Sequence, residues 1–190
     1  MANGATMTSG ASTDPQIPHA LPSSTSIQYY SGTASYTWPP HTPGGASTVT
    51  SAPYLDQRTI DQAAGTITES VVNLGVNGKF KVNTSVMTIH GNTFTMTEST
   101  GSVTGAGTFT GNPWAWTFMR GEFIYTAPDG KTAKIHDVNF LAAPGMLIAH
   151  DDFESPSGDI TMQEDLQLAA VDQATFESLK AHLLTPLTQQ

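Results

Sequence analysis

Two short runs bring ionisable side chains together, His136-Asp137 and His150-Asp151-Asp152. A histidine beside a carboxylate can move a proton near neutral pH or, with further ligands, hold a metal. The spacing argues against a metal, because neither His-x-His nor His-Glu-x-x-His occurs. If both runs are strands, alternation sets His150 and Asp152 on one face and Asp151 on the other. His136 then shares a face with Val138 and Phe140, and Asp137 with Ile135 and Asn139. His136, His150 and Asp152 are the acid–base candidates, and no metal site is expected.

Arg120 is the third candidate. The chain has only 7 Lys+Arg against 16 Asp+Glu. Over 114–124, one alternating face carries Trp114, Trp116, Phe118, Arg120, Glu122 and Ile124. A guanidinium in an aromatic cup binds a phenol, enol or carboxylate and stabilises developing negative charge. The competing reading is a structural salt bridge with Glu122, Glu98 or Asp152. Trp114, Trp116 and Phe118 suit stacking on a planar ligand, and Phe94 and Met96 suit an adaptable apolar wall. For these residues plain core packing carries the greater weight. Glu98, Glu122 and Tyr125 complete the candidate substrate-binding set, as polar groups beside those faces. There is no Gly-x-Ser-x-Gly elbow, no Gly-x-Gly-x-x-Gly loop and no cysteine, so no cofactor is implied.

The elements that would position these residues read as strands. Charged residues make up 12% of the 190, about half of typical usage. Thr, Ser, Asn and Gln supply the polarity and favour strands and turns. A first strand is predicted over 27–38. After it, strand-like segments run over 65–74, 79–90, 92–99, 103–110, 114–126, 131–140, 146–154 and 159–169. Turn pairs such as Asn77-Gly78, Asp129-Gly130 and Ser157-Gly158 punctuate them. So many hairpins in series leave no room for βαβ crossovers. Residues 39–58, with Gly44, Gly45 and Pro53, read as a long irregular loop over one mouth. Asp172 to Leu184 changes to helical spacing, with Asp172 as N-cap and Pro186 as stop. The expectation is an all-β, antiparallel up-and-down barrel of eight or nine strands with a short C-terminal helix over 172–184. Residues 1–25 read as a loose tail and 26–190 as the barrel domain. An open β-sandwich is the competing architecture.

A net charge of -9 argues against nucleic acid and against an anionic membrane surface. No basic-then-apolar leader opens the sequence, so a cytoplasmic location is expected. The sequon Asn83-Thr84-Ser85 reads as incidental. The expected partner is a hydrophobic small molecule, and the sequence leaves a homodimer open.

Residues 107–169 carry a resemblance. They run from Gly-Thr-Phe-Thr-Gly-Asn-Pro-Trp-Ala-Trp through Pro128-Asp129-Gly130, His136-Asp137 and Pro144-Gly145. Met146-Leu-Ile-Ala-His-Asp-Asp152, Pro156-Ser157-Gly158 and Glu164-Asp165-Leu166 follow. This stretch is similar to the lipocalin-like (calycin) β-barrel proteins of microbial secondary metabolism, among them the fungal hetero-Diels–Alderases. The resemblance implies a barrel lumen that binds polyketide- or terpenoid-like molecules and promotes cyclisation, dehydration or cycloaddition without a cofactor. Other members of that superfamily only carry ligands, so a non-catalytic carrier is the second expectation. On the enzyme reading, Arg120 polarises a carbonyl while a histidine or carboxylate nearby moves one proton.

Overall fold

The computed structural model describes residues 25–40, 44–75, 77–143 and 145–185. Alternating β-branched and aromatic residues between turn pairs give ten strands: β1 (Thr25–Trp38), β2 (Thr48–Asp61), β3 (Thr66–Leu74), β4 (Phe80–His90), β5 (Thr93–Glu98), β6 (Val103–Phe109), β7 (Phe118–Thr126), β8 (Thr132–Ala143), β9 (Met146–Glu154) and β10 (Ile160–Ala170). Among the described residues one α-helix, α1 (Gln173–Leu184), follows. Each strand pairs antiparallel with the next, and β1 pairs with β10 from Tyr30↔Ala170 to Thr37↔Gln163. That last ladder turns an up-and-down meander into a closed barrel in which every strand has two paired neighbours. The sandwich alternative is thereby excluded.

Two expectations are corrected, and the first brings the strand count to ten instead of eight or nine. The loop expected over 39–58 gives way from Thr48 to β2, which pairs with β1 along its whole length. Pro53 had argued against a strand. It fits because β2 meets β3 only from Leu55 onward, so Pro53 lies where the strand's second side is unpaired. Second, the strand expected from residue 114 begins at Phe118. A 3-10 turn, Pro113–Ala115, precedes it, with the Asn112 side chain accepting from the Trp114 N–H.

Alternation divides each strand between lumen and exterior. At one end the lumen is plugged by Phe94, Phe109, Trp116 and Met119, all buried. Phe94 and Phe109 lie 5.1 Å apart, and Trp116 meets Phe109 edge-on at 5.3 Å. Three inward glycines, Gly105, Gly107 and Gly121, make room for aromatic rings. A Cβ on Gly107 would lie 2.4 Å from the Phe94 ring, and one on Gly121 would lie 2.4 Å from the Phe123 ring.

Helix α1 packs on the outside of the barrel. Asp172 caps it, accepting the Thr175 N–H at 2.7 Å. Phe176 packs with the outward-facing Leu55 and Val72, and its ring lies 5.1 Å from that of Tyr29. Leu183 joins this cluster, whereas Leu179 and Leu184 stay exposed. Among the described residues no helix is long and apolar enough to cross a membrane.

Phe176 is the only helix residue that is fully buried. Phe176→Ala is expected to lower unfolding free energy by about 3 kcal/mol. Denaturant titration measures the loss, and the strand signal in circular dichroism should persist.

Candidate functional site

The histidines and Arg120 lie on the outer face of the barrel. Arg120 and Glu122 are exposed. His136 sits 3.6 Å from Glu122 and 3.2 Å from Glu154. His150 lies 2.7 Å from Asp165 and 3.4 Å from Asp152, and Gln163 donates to Asp152 at 2.7 Å. The hydrogen bond with Asp165 raises the His150 pKa, with the charge of Asp152 adding to it. Surface pairs of this kind contribute little to stability.

The backbone at Trp116 explains why Arg120 points outward. Trp116 adopts a left-handed conformation, φ 46°, the one such non-glycine among the described residues. That residue resets the alternation. Trp116 is buried in the lumen, while Phe118, Arg120 and Glu122 turn to the outside. The aromatic face expected around Arg120 is therefore not formed. Among the other sequence candidates, Phe94 is in the plug, and Trp114 packs half-buried against the same core. Met96 and Glu98 line the lumen, and Tyr125 is exposed near the rim.

The lumen holds a different set of groups. Asp137 on β8 pairs across to Asp151 on β9, Asp151 to Glu164 on β10, and Glu164 to Tyr36 on β1. These four side chains form one inward row around part of the wall. Directly opposed acids repel, so the row is not there for sheet stability. Burial pushes the Asp137 carboxyl up to about 7, with the charge of Glu69 adding to it. Burial likewise lifts Glu164 to about 7. Asp151 is raised well above the usual carboxylate range, first by burial and then by Asp137 beside it. Asn139 donates to Asp137 through its side-chain amide. Oδ1 of Asp151 and Oε1 of Glu164 are enclosed with no partner.

Between this row and the plug lies Arg58, 2% exposed. Asp56 and Arg58 are two residues apart on β2 and so face inward together. Arg58 Nε donates to Asp56 Oδ2 at 2.7 Å, and Nη2 donates to Glu69 Oε1 at 2.9 Å. Glu69 is the directly registered partner of Arg58 on β3. The guanidinium lies 4.0 Å from the Trp116 ring, so the plug also stacks on the charge. Burial raises the Asp56 carboxyl against the pull of Arg58.

Beyond the row, toward the rim that carries the ends of β3, β5 and β9, is a cavity of about 180 Å³. Its wall includes Val71, Met96, Phe123, Ile135 and Phe153, and Asp137, Asp151 and Tyr54 also border it. Asn83 of the sequon lines the same space and donates to Asn73 at 3.0 Å. Two neighbouring carboxyls against an apolar wall can share a proton, one acting as acid and the other as base. Among the described residues, no group of three or more His, Asp or Glu side chains is arranged to hold a metal.

Asp137 and Asp151 stand beside the histidines in the sequence, and it is the carboxyls, not the histidines expected to do acid–base work, that face the lumen. The stronger signal was an acid on an otherwise apolar face, as in Leu147, Ala149, Asp151, Phe153. Asp56 and Arg58 were missed because their strand was read as loop.

Fold and site together define an up-and-down β-barrel with an acid-lined lumen. No family model matches this chain, and no curated protein matches it.

A carboxyl whose folded pKa exceeds its unfolded value binds its proton more tightly in the folded state. The stability this adds is complete below 3.8 and is lost as pH rises to about 7. Thermal stability should therefore fall across that window. Asp137→Asn and Asp151→Asn should each flatten the fall and raise the melting temperature at neutral pH, by calorimetry. The slope due to His150 should be common to all variants. Arg58→Met strands Asp56 and Glu69 and should cost on the order of 3–5 kcal/mol. Adding Asp56→Asn and Glu69→Gln should recover much of that loss in denaturant titration.

Proposed function

We propose that this barrel admits a small, largely apolar molecule through its rim and promotes a cofactor-free proton transfer on it, as in a dehydration or cyclisation. The observation that carries the reading is the Asp137–Asp151 pair at an apolar cavity, where among the described residues no Lys or Arg pairs with either acid. In a dehydration, the protonated carboxyl gives its proton to a leaving hydroxyl. The ionised partner takes a proton from the adjacent carbon. The C–O bond breaks, a C=C bond forms, water leaves, and the pair ends with its proton exchanged. In a cyclisation or hetero-Diels–Alder step, the protonated carboxyl donates to a carbonyl and no net proton moves.

The cavity is close to the size that holds one benzene, about 150 Å³. That scale favours a single small polyketide- or terpenoid-like substrate over the joining of two. A non-catalytic carrier is the second reading. It is favoured by the Asn139 bond to Asp137, which partly satisfies the pair without a ligand.

The reading is tested with 5-nitrobenzisoxazole, a compact probe of carboxylate bases in apolar sites. A base removes its ring C–H proton as the N–O bond breaks, giving a coloured cyano-nitrophenolate. The protein should exceed an equal concentration of acetate by at least about 100-fold. The rate should climb as pH passes about 7. Asp137→Asn should abolish the excess, while Arg120→Ala should leave it unchanged. A bound probe turned over no faster than in acetate overturns the enzyme in favour of the carrier.

A further inference from the structure

The lumen is unbalanced in charge, and the imbalance has a direction. Its one buried guanidinium, Arg58, already donates to Asp56 and Glu69 and is stacked under Trp116. Nη1 of Arg58 lacks a partner, but Arg58 does not border the cavity. The acids that remain are Asp137, Asp151 and Glu164, and among the described residues no Lys or Arg pairs with them.

Two of those acids border the cavity, and Glu98 is a third carboxyl on its wall near the rim. No Lys or Arg borders it. The unpartnered oxygens point the same way. Glu164 is 8% exposed and faces the lumen opposite Asp151, with its Oε1 unbonded. Asp151 lines the cavity with an enclosed, unbonded Oδ1. Buried acceptors of this kind are normally satisfied by a donor. The Tyr36 hydroxyl is in register with Glu164, so the cavity-side acceptor still to be met is that of Asp151. A multiple donor with positive charge complements it and the Asp137 carboxyl beside it.

We infer that the ligand of this lumen carries a protonated amine, which Asp137 and Asp151 anchor from neighbouring strands while its apolar body packs against Met96, Phe123 and Phe153. This rests on the lumen-binding reading above and narrows its ligand to small aryl or alkyl ammonium compounds. An ammonium offers three donors to the two carboxyls, and charge-assisted bonds are the stronger kind. Low dielectric on the apolar side strengthens them further. An anionic ligand would meet the same row of carboxyls as repulsion. A neutral isostere would leave the acceptors without a cation.

The test is a set of matched one-ring probes: benzylammonium, benzyl alcohol, toluene and benzoate. Affinity is read by calorimetry, and position by methyl chemical shifts of Met96 and Val71. Benzylammonium should bind at least about tenfold more tightly than benzyl alcohol, with benzoate weakest. It should shift both methyl signals. Asp137→Asn and Asp151→Asn should each reduce the preference to near unity. If either variant does not fold, the wild-type comparison alone decides the matter. Benzyl alcohol or toluene binding in the lumen as tightly as benzylammonium overturns the amine and leaves the lumen-binding reading standing. Benzylammonium binding that leaves the Met96 and Val71 signals unmoved is attraction to an acidic exterior, and it also overturns the inference. If none of the four probes shifts those signals, both readings fall.

Discussion

Arg58 is held inside the barrel by two carboxylates and an indole, and the arrangement of the lumen follows from keeping that one cation neutralised. Its own strand supplies Asp56, and the adjacent strand supplies Glu69 in direct register. Trp116 covers the guanidinium from the plugged end. Removing a charge from water costs several kcal/mol unless hydrogen bonds and an opposite charge replace the hydration. The pairing must therefore be completed locally, and it uses up the interior's single guanidinium. Asp137, Asp151 and Glu164 are left without a cation, and burial raises the pKa of all three.

That division separates the lumen into two zones. On the plugged side, opposite charges and stacked rings make a closed core. On the cavity side, Asp137, Asp151 and Glu164 form a row in which burial lifts every carboxyl, with Asp137 and Glu164 adding to the lift at Asp151. Such a row works against stability and sits beside open apolar space, the combination expected where an interior is shaped for a ligand rather than for packing. Gly107 and Gly121 serve the same division. Gly107 leaves room for the Phe94 ring in the plug, and Gly121 leaves room for the Phe123 ring on the cavity wall.

Closure gives the row its geometry. Strands joined only by hairpins would still pair side by side, but Tyr36 meets Glu164 only because β1 returns to β10. Helix α1 then covers Leu55 and Val72, outward residues too apolar for a solvated wall. Elsewhere the exterior mixes threonines and surface ion pairs, including both histidine clusters, with exposed apolar residues such as Val82, Val86, Ile124 and Phe140.

The sequence by itself determined the hairpin series from β3 to β10, the faces of β5, β8 and β9 and the capped helix, because turn residues and alternation act over a few positions. Alternation even put Asp137 with Ile135 and Asn139, and Asp151 opposite His150. It could not say which face was inside, since one face of β7 carries Phe118 and Arg120 and the other Met119 and Phe123, both apolar enough for a core. Only the tertiary structure decided that. The left-handed turn at Trp116 sends its indole inward onto Arg58 and so sets Arg120 outside. The strand holding Arg58 was hidden by Pro53, whose tolerance depends on where β3 stops pairing. Parity is a local property of the chain, whereas the direction of the lumen depends on a closure between strands separated by most of its length.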